Sequence, residues 1–188
     1  VIVQVPFTLS YMEESRIYDK LIANAKAYRN VNLDPHVLKV AAVFAILTRI
    51  SPSEMKGLDL MQKIRLYAGE DVNGISAMEM ERIHKEHPEE GLYGISPRFI
   101  VNTLSNAIIR SEASSLTSME VLLALKDSVV SDARIDAKEK RAWVDFLVTA
   151  RKDFYNRWVK EDVHKALFAS FESEAQSLLE KYLDEVEA

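Results

Sequence analysis

The chain contains no cysteine among its 188 residues. A disulfide framework, a thiol nucleophile and a cysteine zinc site are therefore excluded for these residues. The longest nearly apolar run, Val40–Leu47, has eight residues, whereas a helix that spans a membrane needs about 20. The opening residues show no signal-peptide pattern. We therefore expect a cytoplasmic protein with no membrane partner.

Glycine and proline are scarce and unevenly placed. All five glycines and all five prolines lie between Pro6 and Pro97, and the 91 residues that follow contain neither. Because both residues interrupt regular structure, this distribution predicts short elements first and long helices afterwards. The net charge of -5 is shared by both halves, so no basic block indicates a nucleic-acid partner. We interpret Trp143, Phe154 and Trp158, at helical spacing, as core residues.

One short strand is predicted at the start of the chain. Val1, Ile2, Val3 and Val5 are β-branched and precede Pro6, and no second convincing strand follows. A lone strand cannot satisfy its backbone hydrogen bonds, so we expect its partners in a missing upstream part. The first residue is also not a methionine, which suggests a piece of a longer protein.

The rest of the sequence predicts helices, and several of them begin with a recognisable capping motif. Capping boxes fit Ser10 with Glu13, Ser76 with Glu79, and Thr117 with Glu120. Behind the first box, Ile17, Leu21 and Ala25 repeat at helical spacing, and Val40–Leu47 is apolar on every side, as in a buried helix. We therefore expect an all-α fold apart from the one strand. Further helices are expected over about 34–50, 58–68, 77–87, 97–112, 117–130 and 136–188, the last with a bend or break between Asn156 and Asp162.

No catalytic motif is recognisable. The sequence has no Gly-x-Ser-x-Gly elbow, no phosphate-binding loop and no kinase catalytic-loop signature, so we predict no catalytic residue here. His84 and His87, with Glu81 nearby, have a spacing that metal ligands use. The alternative is that His87 ends a helix, where basic residues face the dipole. We favour that interpretation and predict no metal site.

Arg98 breaks a local rule. It follows Ser96 and Pro97 in the first turn of a predicted helix, where a cation opposes the positive end of the helix dipole. The same placement suits an anion, because free amides, dipole and guanidinium then converge on it. An ordinary exposed arginine is the alternative. The residues alone leave both open.

Several stretches carry a family resemblance. The most distinctive is Pro88–Asn102, which reads Pro-Glu-Glu-Gly-Leu-Tyr-Gly-Ile-Ser-Pro-Arg-Phe-Ile-Val-Asn. With the other matching segments it resembles the PrkA serine protein kinase family, in order and over essentially the whole chain. Those segments are Val5–Phe7, Glu13–Ile22, Leu38–Arg49, Gly57–Met61, Tyr67–Glu70, Ala150–Tyr155 and Tyr182–Ala188.

The resemblance implies an AAA+ ATPase with a helical C-terminal domain. Residues 1–113 would be the last core strand and a lid-like helical subdomain, and residues 114–188 the PrkA-type C-terminal domain. Gly94, Ser96 and Arg98 are similar to a sensor-2 motif, whose arginine reaches the terminal phosphate of ATP. The phosphate loop and the acidic motif that positions Mg would lie upstream of Val1. We therefore expect ATP with Mg to bind the parent protein and this chain only weakly, without hydrolysis.

The implied function is nucleotide sensing and substrate positioning in a PrkA-type serine protein kinase. The implied partners are the upstream AAA+ core, a protein substrate and a homo-oligomer, since AAA+ proteins often form rings. One alternative is an ATP-dependent AAA+ remodelling protein or protease. The other is a helical protein-interaction module that uses its aromatic-rich C-terminal helices.

Overall fold

The computed structural model describes residues 4–23, 25, 28, 31–111 and 115–187. Helices dominate this part of the chain, so the predicted all-α class is confirmed. A π-helical segment, Phe154–Val159, follows the seventh helix and leads into the eighth. The α-helices are α1 Tyr11–Ala23, α2 Val37–Leu47, α3 Leu60–Tyr67, α4 Ala77–Glu86, α5 Pro97–Ser111, α6 Ser118–Ser131, α7 Ala137–Asp153 and α8 Lys160–Glu187.

Two short strands pair where the sequence predicts none. Strand β1, Asn32–Leu33, lies parallel to β2, Ser115–Leu116. The prediction of no second strand is therefore wrong, because two residues are too few to show a periodic pattern. The predicted strand over Val1–Val5 falls mainly on residues 1–3, which lie outside the described residues. Gln4 and Val5 have no regular secondary structure.

Helix α2 is the centre of the fold. Every residue of Val40–Leu47 is buried, as the apolar run predicts, and α1, α3, α5 and α6 pack against this helix. The helix is shorter than predicted at both ends. Asp34 Oδ1 accepts the N–H of His36 in a turn, so Pro35 precedes the helix instead of starting it. At the other end the chain turns at Thr48.

The buried face of α1 is not its most apolar row. Ile17 and Leu21, which repeat at helical spacing, are 37% and 49% exposed. The row that faces the core contains a carboxylate, and its members are Tyr11, Glu14, Tyr18 and Ile22. A polar partner for that carboxylate must therefore lie inside the core.

Two of the three predicted capping boxes are complete, those that begin α4 and α6. The box at α1 is only half formed. Ser10 Oγ accepts the N–H of Glu13 at 3.4 Å, while the Glu13 carboxylate pairs with Arg16. A further capping box, between Asp59 and Gln62, begins α3 and was not predicted.

The C-terminal helical run loses α-helical regularity close to the expected place. The π-helical segment begins at Phe154, two residues before the predicted range, and overlaps it up to Val159. Phe154 and Trp158 are buried, as expected of core residues, and Trp143 is half-buried. The chain forms two compact units, Val1–Arg151 and Lys152–Ala188. The domain boundary at residue 113 stays a prediction. In the described residues no helix is both long and apolar enough to cross a bilayer.

Candidate functional site

Arg98 lies at the start of α5 with its side chain in solvent. Ser96 Oγ accepts the N–H of Phe99 at 3.3 Å, and Pro97 is the first helical residue, as the sequence predicts. Pro97 has no N–H, so the N–H of Arg98 is the amide that this helix end leaves without a backbone partner among the described residues. Its guanidinium likewise makes no ion pair within the described part. A free cation and a free amide therefore share one helix start.

The loop before α5 is fixed from both sides by the end of α2. Nε and Nη2 of Arg49 donate to the carbonyl oxygen of Ile95 at 3.0 and 2.6 Å. The N–H of Ile95 donates to Thr48 Oγ1 at 2.9 Å. Both backbone polar groups of Ile95 are thus held by buried side chains. The position of the α5 start relative to α2 is determined by these three bonds.

Gly94 allows the loop before α5 to lie close to the backbone at the end of α2. Its φ is +92°, and a Cβ atom there would lie 2.5 Å from the carbonyl oxygen of Thr48. Any other residue would clash with that backbone atom. The three predicted nucleotide-binding residues therefore share one short segment but differ in situation. Gly94 packs against α2, Ser96 caps α5, and only Arg98 is exposed. Their contact with ATP stays a prediction.

Arg49 connects more than the loop. Its fully buried guanidinium donates to Glu14 Oε1 at 2.6 Å and to the carbonyl oxygen of Thr8 at 3.1 Å. It also lies over the ring of Phe7, 4.7 Å from the ring centroid. Sequence reasoning missed this cation. The signal that was available was a lone arginine two residues after the apolar run Val40–Leu47.

A second buried ion pair supports the segment that leads into the loop. Lys63 Nζ lies 2.7 Å from Glu90 Oε1 and 2.9 Å from the carbonyl oxygen of Ser51. The hydroxyl of Tyr67 donates to Glu90 Oε2 at 2.7 Å. Burial, reinforced by the Glu90 carboxylate, raises the pKa of Tyr67 far above its ordinary value. This network fixes Glu90, four residues before Gly94.

A groove of about 800 Å³ runs between α5 and α6, with Ser96 and Arg98 among its lining residues. Arg134 also lines it and donates from Nε and Nη2 to Asp132, at 2.9 and 2.6 Å. These bonds lower the pKa of Asp132 to about 2. Arg134 is therefore already paired, whereas Arg98 is not.

The two histidines considered as metal ligands contact different groups. His84 stacks on the ring of Tyr67, with ring centroids 4.4 Å apart. His87 Nε2 lies 3.0 Å from the carbonyl oxygen of Pro52. Within the described residues no group of three His, Cys, Asp or Glu side chains is arranged to hold a metal ion.

Two family models together match most of the chain. The PrkA AAA domain matches residues 1–57, and the PrkA serine protein kinase C-terminal domain matches residues 61–188. The chain belongs to the PrkA family. The family predicted from the sequence is therefore confirmed, and the exposed Arg98 lies in the region matched by the PrkA C-terminal domain.

Alignments with two curated relatives cover almost the whole chain. It is 39% identical over all its residues to the ATP-dependent protease PrkA of Bacillus subtilis and spans 30% of that protein. It is 23% identical, over 97% of its residues, to the serine/threonine kinase YeaG of Escherichia coli and spans 28% of that protein. No solved structure matches the chain.

Proposed function

We propose that this chain senses nucleotide and positions a protein substrate in a PrkA-type kinase, with Arg98 binding the terminal phosphate of ATP. The observation that carries the proposal is the unpaired guanidinium of Arg98 on a helix start that buried side chains hold in place. Because the backbone of this helix start is already fixed, only the Arg98 side chain must become ordered when it binds an anion.

The residues present fit a phosphate oxygen. The guanidinium and the N–H of Arg98 offer donors at the positive end of the α5 dipole. The oxygen of Ser96 accepts from Phe99, so its own O–H is left to donate. Gly94 keeps the loop against α2. When bound, ATP supplies the phosphoryl group, and we assign the remaining contacts to ATP and Mg to the upstream core.

The fold offers a route from this site to the helical part. Phe7 and Thr8, in the region matched by the AAA domain model, touch Arg49, and Arg49 holds the loop before α5. Movement of the upstream core against the lid-like helices would therefore reach α5 through buried contacts. In this proposal the core is the intramolecular partner, and a ring-shaped homo-oligomer is the assembly.

An ATP-dependent protease is the second candidate, because the relative at 39% identity carries that name. Incubating the full-length protein with ATP and casein separates the two activities. Phosphoserine or phosphothreonine in intact casein, detected by mass spectrometry, supports the kinase. ATP-dependent casein peptides without added phosphate support the protease.

Arg98→Ala in the full-length protein tests the site. We expect ATP-dependent activity to fall by about tenfold to a hundredfold, because a charged hydrogen bond contributes about 1.5–3 kcal/mol. The melting temperature without nucleotide should stay unchanged. Arg141→Ala, at an exposed arginine of α7, is the matched control. Equal activity of the two variants would rule out the proposed role of Arg98.

A further inference from the structure

One face of α5 carries a row of hydrogen-bond donors. Arg98, Asn102, Asn106 and Arg110 follow each other at intervals of four residues, and all four side chains are exposed. Residues at this spacing lie on the same side of a helix. All four line the groove between α5 and α6. None of their side chains hydrogen-bonds or pairs with another described residue.

The opposite wall of the groove is formed by α6, and it presents acidic and apolar side chains. Asp127 presents a carboxylate without an ion-pair partner in the described part, and Leu123 is 57% exposed. Between the walls, Thr103 Oγ1 bonds to Ser128 Oγ at 3.2 Å. Ala107 and Ala124 also line the groove, one from each helix.

We propose that this groove binds an extended polypeptide segment. Asn102 and Asn106 hydrogen-bond to its main chain, Arg110 binds an acidic side chain, and Asp127 binds a basic one. An asparagine carboxamide both donates and accepts, as a peptide group does. Four residues of helix rise about 6 Å, close to the repeat of about 6.6 Å for two residues of extended chain. Successive asparagines therefore meet alternate residues of the segment.

The charges of the two walls define the segment further. Alternate side chains of an extended chain point in opposite directions. A segment with acidic and basic residues in alternation therefore turns its carboxylates to the guanidinium of Arg110 and its ammonium groups to Asp127. A nucleic acid fits less well, because the carboxylates of Asp127 and Glu120 on the α6 wall would repel its phosphates.

This binding site goes beyond the proposed function and does not depend on Arg98. The test measures fluorescence anisotropy with the full-length protein and no nucleotide. One probe is a fluorescein-labelled octapeptide with glutamate and lysine in alternation. The second has the same composition with four glutamates followed by four lysines. We expect the alternating peptide to bind at least about tenfold more tightly, because only it matches both walls.

Substitutions then locate the site. Combining Asn102→Ala with Asn106→Ala should weaken binding of the alternating peptide by about tenfold or more, since two pairs of main-chain hydrogen bonds are lost. Arg110→Gln should remove most of the preference over the block peptide. Asn156→Ala and Arg141→Gln replace exposed residues of the same types elsewhere and should leave binding unchanged.

Three results would overturn the proposal. The first is equal affinity for the two peptides, and the second is tight binding that survives the double asparagine substitution. The third is absence of binding of the alternating peptide to the full-length protein, whether or not hydrogen exchange shows α5 to be protected there. Loss of binding in the double variant, with the two controls intact, supports it.

Discussion

Arg49 holds the carbonyl oxygen of Ile95 with two hydrogen bonds, from Nε at 3.0 Å and from Nη2 at 2.6 Å. The same guanidinium pairs with Glu14 of α1 and lies over the ring of Phe7. One buried cation therefore joins three separate parts of the sequence. The stability of the fold and the placement of Arg98 both depend on it.

Arg49→Met is expected to lower the free energy of unfolding by about 3–5 kcal/mol, because it leaves the Glu14 carboxylate buried without its partner. Urea unfolding of the 188-residue chain measures the change. Arg16→Met removes an ion pair to Glu13 in which both side chains are more than half exposed. This control substitution should lower the free energy of unfolding by less than about 1 kcal/mol. Similar losses for the two variants would contradict this account of the buried pair.

Gly94→Ala is expected to destabilise the chain more than Gly57→Ala. Both glycines have positive φ, at +92° and +84°, which costs other residues about 1–2 kcal/mol. The added Cβ at residue 94 would also meet the Thr48 carbonyl oxygen at 2.5 Å, whereas nothing lies within 4 Å at residue 57. Thermal unfolding compares the two variants. Equal shifts in melting temperature would show that the loop can move away from α2.

Tyr18→Phe is expected to change the stability at pH 7 by less than about 1 kcal/mol. The hydroxyl of Tyr18 is buried near the Glu14–Arg49 ion pair and makes no hydrogen bond of ordinary geometry with a described residue, so little is lost with it. At alkaline pH the free energies of unfolding of the variant and the wild type should differ more. Burial, together with the nearby Glu14 carboxylate, raises the pKa of Tyr18 well above its ordinary value.

Above pH 10 the unfolded tyrosine releases its proton while the folded one keeps it. The native state then binds more protons, and the free energy of unfolding falls by up to about 1.4 kcal/mol per pH unit from this residue. Urea titrations at pH 9 and pH 11 should therefore show a smaller decrease for Tyr18→Phe than for the wild type. Parallel decreases would mean that the hydroxyl ionises equally in both states.

Lys63 and Glu90 are expected to be strongly coupled. Lys63→Met alone leaves a buried carboxylate unpaired and should cost about 3–5 kcal/mol. Adding Glu90→Gln should restore part of that loss, because the remaining group is then neutral. A double-mutant cycle by chemical denaturation gives the coupling. Additive losses would argue against a direct ion pair.

The helix starts and the central helix could be predicted because their signals are local. The capping boxes of α4 and α6 occupy four consecutive residues each, and the apolar run of α2 is continuous. The buried charges could not be predicted in this way. Hydropathy places Glu14 and Arg49 at the surface, and they are 35 residues apart in the sequence. Their burial is possible only because the fold brings them together.

The candidate site likewise has features that the local sequence predicts and features that depend on distant residues. Ser96 and Pro97 predict the start of α5, and the sequence shows beside them Arg98, a cation in the first turn of the helix. The three bonds that fix Ile95 involve side chains nearly 50 residues away. The groove could not be predicted either, because it exists only once α5 and α6 lie side by side.

The parallel pairing of Leu33 with Leu116 bears on how the chain acquires its structure. Beside it, Asp34 Oδ2 accepts the N–H of Ser118 at 3.5 Å, and α5 and α6 both pack on α2. The family model for the C-terminal domain begins at residue 61, so a polypeptide that started there would be made without α2. Its α5 and α6 would still pack on each other, but the apolar surface that each buries against α2 would stay exposed. The AAA-matched region and the part of the C-terminal region up to Arg151 are therefore expected to fold cooperatively, since both belong to the first compact unit.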